Sequence, residues 1–211
     1  MTQASLIFIV IAVAMTLLNW FAVGKKNAIL EYISKPAATI AFLAAVASFD
    51  VVHDVPWGWR LAAFAFCLAG DVFLMLPKDA FIPGLASFAI AQILFTISFA
   101  AGETTAARVI VGLVVAIPLV ALLARRFVKA IRASGHAELV APVSVYMVVI
   151  SAMAVGAIGS GNAVAIAGAL IFMASDSLIA ESRFVKERAW HSVGIMVTYH
   201  VALAGLALSA L

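Results

Sequence analysis

The chain of 211 residues is 66% hydrophobic and 11% charged, carries a formal charge of +3 and has a mean hydropathy of +1.18. Soluble domains hold about 45–50% apolar and about 25% charged residues, so no water-soluble fold of this length has interior enough for so much apolar surface. The small positive charge lies in short segments between apolar runs and not on one face, which marks membrane topology and gives no footprint for nucleic acid.

The N-terminal segment places Lys25 and Lys26 after an apolar run, the reverse of the charge order of a secretory signal, and 4–23 predicts a first spanning helix. Further spans are predicted at 36–50, 57–76, 81–100, 106–124, 138–157, 162–180 and 189–210, each near the ~20 residues a bilayer requires. The expected fold is all-α, a polytopic bundle of eight transmembrane helices forming one domain over 1–211. Breaks fall at Gly24 to Lys26, Asp54 to Pro56, Pro77-Lys78-Asp79, Gly102-Glu103, Arg125 to Glu138, Gly159 to Asn162 and Glu181 to Arg188, all charged or rich in Gly and Pro. Trp20, Trp57, Trp59 and Trp190 stand at predicted span ends, where indole rings prefer the interface. The one cysteine, Cys67, lies in an apolar run and has no disulfide partner. His53 and Asp54 read as solvated loop residues.

Orientation follows from the basic residues. Lys25, Lys26, Lys35, Lys78, Arg125, Arg126, Lys129, Arg132, Arg183, Lys186 and Arg188 fall at odd-numbered breaks, leaving only Arg60 and Arg108 on the other side. Basic loops stay cytoplasmic, so both termini are expected outside, and the alanine-rich composition points to a bacterial inner membrane. An internal echo also appears: Ala69-Gly70-Asp71 is matched by Ala174-Ser175-Asp176 at an offset of 105 residues, as two parallel four-helix halves would produce.

A carboxylate inside a spanning helix costs about 2.5–3.5 kcal/mol even on lenient insertion scales. Asp71 and Asp176 are each followed by more apolar chain, which puts them about 6–9 Å inside their helices. Thr39, about one turn into span two, Gln92, about three into span four, Tyr146, about two into span six, and Tyr199 and His200, about three into span eight, come in from the same side. Together with Ser175 these residues predict one polar pocket walled by Leu, Phe and Met and open toward the cytoplasmic leaflet. A structural alternative stands beside each: the aspartates bracing helices, Gln92 and Tyr146 as hydrogen-bond partners, His200 as a satisfied interhelical histidine. No spacing resembles a metal-ligand set or a serine-hydrolase elbow, and no cofactor is expected.

Lys35-Pro36-x-x-Thr39, Gly70-Asp71-Val72-Phe73-Leu74-Met75, Pro142-x-x-x-Tyr146 and Ser175-Asp176-Ser177-Leu178-Ile179-Ala180 occur in that order, with a tyrosine in the last span. This pattern resembles the lysoplasmalogenase-type (YhhN-like) membrane proteins along nearly the whole chain. It departs where Gln92 stands for a frequent histidine and where Tyr199-His200-Val201-Ala202-Leu203 replaces a Tyr-Tyr-x-Ala-Gln ending. The resemblance implies hydrolysis of the vinyl-ether bond of a lysophospholipid to a fatty aldehyde and a glycerophospho-alcohol. Vinyl ethers yield to acid, so a protonated carboxyl and an ionised one at Asp71 and Asp176 suit the reaction. Thr39, Gln92, Tyr146, Ser175, Tyr199 and His200 would bind substrate, with Lys35 or Arg183 at the phosphate. The alternative reading of the same carboxylates is a proton-coupled transporter or carrier; a non-catalytic membrane scaffold is the third.

Overall fold

The computed structural model describes residues 1–52, 54–76 and 80–211; His53 and the predicted break at Pro77-Lys78-Asp79 lie outside the described residues. Eight helices follow in order: α1 Gln3–Gly24, α2 Ala28–Ala47, α3 Val55–Met75, α4 Phe81–Ala101, α5 Ala106–Ala133, α6 Val140–Ser160, α7 Ala163–Ala180 and α8 His191–Leu208. A short 3-10 turn, Ala137–Leu139, leads into α6, and a π turn, Glu181–Val185, extends α7. All eight are long and apolar enough to cross a membrane, and no strand occurs among the described residues. Side-chain caps start four of them: Thr2 accepts from Ser5 N–H, Asn27 from Leu30, Asp54 from Trp57 and Asn162 from Val164 and Ala165. Lys25 and Lys26 after α1, the last turns of α5, and Arg183, Lys186 and Arg188 after α7 define a basic end of the bundle.

Two boundaries differ from the sequence expectation. Helix α2 begins at Ala28, with Pro36 inside it. The Asn27 cap supplies a complete helix start upstream, and the proline removes one backbone bond without ending the helix. Lys35 is therefore a helical side chain and not a loop residue, and Thr39 lies about three turns into α2. Helix α5 continues to Ala133 through Arg125, Arg126, Lys129 and Arg132. In that stretch Phe127 and Ile131 are buried at a spacing of four while the cations point outward, so the charges mark the solvated face of an amphipathic helix end and not a loop.

Packing follows the chain: α1 lies on α2, α2 on α3 and α3 on α4, and α5 to α8 pack in the same succession. The halves join chiefly through α4 against α6, with α8 closing onto α1 and α2. Lipid tails give helices no hydrophobic reason to associate, so close approach through small residues does that work. The tightest crossing is α7 on α8, where a Cβ built at Gly168 would stand 2.9 Å from Leu206 N and one at Gly205 would stand 3.0 Å from Gly168 Cα. Helix α5 is the outlier. It rests on α6 and the π turn and leaves most of its length facing lipid.

Valine at Gly168 or Gly205 must separate two backbones, a strain of about 1–3 kcal/mol. Thermal unfolding in detergent is expected to shift down for Gly168→Val and Gly205→Val. Gly58→Ala, where a new Cβ meets nothing within 4 Å, leaves the midpoint unchanged or raises it.

Candidate active site

Asp71 is fully buried in the membrane-spanning part of α3, and every one of its polar neighbours reaches it from another helix. Its Oδ2 accepts from Thr39 Oγ1 at 2.6 Å and from the Tyr199 hydroxyl at 2.8 Å. Its Oδ1 faces Lys35 Nζ at 3.5 Å. Lys35 and Thr39 stand four apart on α2, which puts them on one face. An ammonium and two hydroxyl donors are the surroundings that suit an ionised carboxylate. His200, next along α8, is buried and its Nδ1 pairs with Trp20 Nε1 at 3.2 Å.

Asp176, in α7, has different company. Its Oδ2 accepts from the Tyr146 hydroxyl of α6, and no cation is paired with it among the described residues. Gln92 is buried near Tyr146, and neither atom of its amide has a hydrogen-bond partner among the described residues. Ser175 turns away: its hydroxyl donates to the Ile195 carbonyl at 3.1 Å and ties α7 to α8.

Asp176 and Tyr146 line a narrow cavity of about 70 Å³ between α4, α5, α6 and α7. The rest of the wall is mostly apolar, including Leu85, Phe88, Leu123, Met147 and Met173, with Ser151 and Ser177 each bonded back to its own helix, and Phe81, Phe127 and Phe184 surround it toward the basic end.

The polar residues expected to share one pocket do not all line this cavity. Phe88 lines the cavity and also packs edge-on against Tyr199, with ring centroids 5.8 Å apart. Phe172 completes the set, 5.6 Å from Tyr199 and 6.1 Å from Phe88. The Tyr199 hydroxyl bonds Asp71 while its ring joins this aromatic set beside the cavity. The cavity wall includes Asp176 and Tyr146 but not Lys35, Thr39, Asp71, Gln92, Ser175, Tyr199 or His200. Gly70 makes this possible: a Cβ there would meet the Phe88 ring at 2.6 Å. Cys67, fully buried, lies within electrostatic reach of both carboxylates.

Sequence reasoning missed the polar group at the basic end. Arg126 grips Glu181 of the π turn with two nitrogens at 2.8 and 3.0 Å, and Arg188 approaches the same carboxylate at 3.8 Å. The Arg183 guanidinium lies over the Phe81 ring, 4.2 Å from its centroid. Reading 125–138 as a loop hid the pairing of Arg126 with Glu181. Among the described residues no three His, Cys, Asp or Glu side chains gather as a metal site would require.

A family model described as the YhhN family matches residues 30–210. Among curated proteins, the Lysoplasmalogenase TMEM86B of Homo sapiens is 28% identical over 142 residues, covering 67% of this chain and 58% of that protein. The chain thus spans less than two thirds of the length of that relative. No solved structure matches.

The Lys35–Asp71 pair can be tested apart from activity. Removing one partner of a buried pair leaves an uncompensated charge and costs about 3–5 kcal/mol, whereas removing both is far milder. Unfolding in detergent is expected to be earlier for Lys35→Met and for Asp71→Asn than for the double variant.

Proposed function

The chain belongs to the YhhN family, and from that premise we propose that it is a membrane hydrolase cleaving the vinyl-ether bond of lysoplasmalogens. The observation that carries the reading is Asp176, a carboxyl group on the wall of a mostly apolar cavity, with one oxygen already held by Tyr146. The other oxygen, Oδ1, carries the proton. It is transferred to the β-carbon of the vinyl ether as the double-bond electrons form the new C–H bond, leaving an oxocarbenium ion. The Tyr146 hydroxyl donates to the carboxylate that results. Water adds to the cationic carbon and returns a proton to Asp176, which gives a hemiacetal. Transfer of the hemiacetal proton to the ether oxygen breaks the C–O bond and releases a fatty aldehyde and a glycerophospho-alcohol, with one water consumed. Acid–base assistance by one positioned group contributes about 10²–10⁴-fold.

Gln92 offers a buried amide beside Tyr146, behind the cavity wall, which suits a partner that orients the Tyr146 hydroxyl. Asp71 is assigned to position the site: with Lys35 and Thr39 it anchors Tyr199, and through it the Phe88 wall of the cavity. Its geometry fits a fixed charge better than a proton donor. Thr39, Ser175, Tyr199 and His200 support this frame.

We further propose an inner-membrane location with the basic end in the cytoplasm and both termini outside, on the distribution of lysine and arginine. The carrier reading has less support. In α3 and α4 the core is packed ring against ring by Phe64, Phe95 and Phe99, which favours a cavity with one opening over a path through the bundle.

Purified protein is expected to release fatty aldehyde from a lysoplasmalogen. Asp176→Asn loses that activity to background, and Tyr146→Phe retains part of it. Asp71→Asn lowers it at least about tenfold, equivalent to ~1.4 kcal/mol of barrier. Aldehyde release by Asp176→Asn at the parent rate rules out the mechanism.

A further inference from the structure

We propose that the end of the bundle opposite the basic one holds a binding site for the head group of a phosphoethanolamine lipid, built on Arg60 and Glu103. This is a second site, away from the cavity at Asp176, and it does not rest on the hydrolase reading.

A cavity of about 200 Å³ opens where α3 and α7 start and α4, α6 and α8 end. Its lining includes Arg60 of α3, Ser98 of α4, Glu103 just beyond α4, Ser160 closing α6, Asn162 capping α7 and Ser209 closing α8. Arg60 is the one cation among the described lining residues. Its guanidinium lies over the Phe99 ring, 5.8 Å from the centroid, and its Nε is buried with no hydrogen-bond partner among the described residues. Arg108, the other cation of this end, donates to the Ser160 carbonyl at 3.3 Å. Asp54 acts on Arg60 through its charge, from the α3 cap where its Oδ1 accepts from Trp57 N–H. A half-buried guanidinium with a donor left over calls for an anionic acceptor, and a phosphate or carboxylate fits its fork.

The rest of the lining decides what else the ligand carries. A hydroxyl has one proton to give and two lone pairs. Ser98, Ser160 and Ser209 give theirs to the carbonyls of Pro56, Ala157 and Leu206 at 2.8, 2.7 and 2.9 Å. Asn162 directs its amide nitrogen to the Ser209 carbonyl and its oxygen to the N–H groups that open α7. Beyond Arg60 the wall therefore offers acceptors, Glu103 foremost. A simple anion would meet the guanidinium and then repulsion from Glu103, whereas a zwitterion with N–H protons on its cation satisfies both. The order in depth selects the zwitterion. The guanidinium overlies Phe99, inside α4, while Glu103 lies four residues further along, past the helix end at Ala101. The anion is thus held toward the bilayer and the ammonium toward water, the order of a phosphoethanolamine head group whose tails stay in lipid. Phosphocholine has the same charges but no N–H for the acceptors.

The test follows thermal unfolding of parent, Arg60→Gln and Glu103→Gln in detergent as dioleoyl phosphatidylethanolamine or dioleoyl phosphatidylcholine is mixed into the micelles. O-Phosphoethanolamine in solution is the third probe. A hydrogen bond to a charged group is worth about ten- to a hundredfold in affinity. The ethanolamine lipid is expected to half-saturate the parent at a mole fraction lower than the choline lipid by that factor. Arg60→Gln weakens binding of both lipids by a similar factor. Glu103→Gln, a change at an exposed position, weakens the ethanolamine lipid alone and brings the two level. Soluble phosphoethanolamine, which lacks tails, should stabilise none of the three proteins. Equal affinity of the parent for both lipids overturns the proposal, and so does an ethanolamine preference that survives in Glu103→Gln. Stabilisation by soluble phosphoethanolamine as large as by the lipid overturns the lipid assignment in favour of a free zwitterion. Glu103→Gln decides the matter even where Arg60→Gln does not fold.

Discussion

A carboxylate enclosed in a bundle that lipid surrounds has no water to turn to, and the arrangement around Asp71 is built on that constraint. The cost of the charge is met by an ammonium and a hydroxyl from α2 and a second hydroxyl from α8. These contacts join helices that are distant in sequence, so one side chain ties the first half of the chain to its last helix. They also decide where the aromatic rings go. The Tyr199 hydroxyl must reach Asp71, which sets its ring against Phe88 and Phe172. The floor of the cavity is thus a consequence of satisfying a buried charge, and Gly70, one residue before it, leaves the room that Phe88 needs.

The cavity itself follows from what membrane helices lack. Without a hydrophobic drive between them, they associate where small residues allow backbones to touch. Gly168 and Gly205 do this for α7 and α8, and Gly112 against Val155 does it for α5 and α6. Helix α5 has no such contact with α4, although both contribute to the walls of the cavity. Large side chains such as Phe81, Leu85, Leu123 and Phe127 face the space between them and keep the helices apart. A seam between two weakly associated helices is where a lipid tail can pass without breaking hydrogen bonds, because every backbone group there is satisfied within its own helix.

The spans, their number and the two intramembrane aspartates were legible in the sequence because each is a one-dimensional signal: hydropathy over about twenty residues, interrupted by charge. Readings failed where a local signal had two physical causes. Lys35-Pro36 resembles a helix start, yet Asn27 had already supplied one, and the lysine belonged to Asp71 and not to a loop. Arg125 to Arg132 resemble a loop by charge, yet Phe127 and Ile131 show the spacing of a helix face. The division of the expected pocket was not legible at all. Depth along a helix can be counted from sequence, but direction around it depends on which neighbour is closest, and only the packed structure shows that the cavity reaches Asp176 and not Asp71. Ser175 makes the same point, since it precedes Asp176 and yet its hydroxyl serves α8.

The two aspartates match in sequence context but not in surroundings, and that difference is what the proposed chemistry needs. Asp71 has a cation and two donors, with both hydroxyls on Oδ2 and the ammonium facing Oδ1, so its charge is held in place. Asp176 has one donor and an apolar cavity, so one oxygen remains open toward whatever the cavity holds. A vinyl ether offers no group that a nucleophile can attack; it offers electrons to a proton. An acid serving it must be shielded from bulk water, close to an apolar chain and unencumbered by a salt bridge. Pairing therefore argues Asp71 into the role of frame, and the want of pairing argues Asp176 into the role of acid. Two aspartates in the same short sequence context are thus told apart by what packs around them: a cation and two hydroxyls at one, a tyrosine and a cavity at the other.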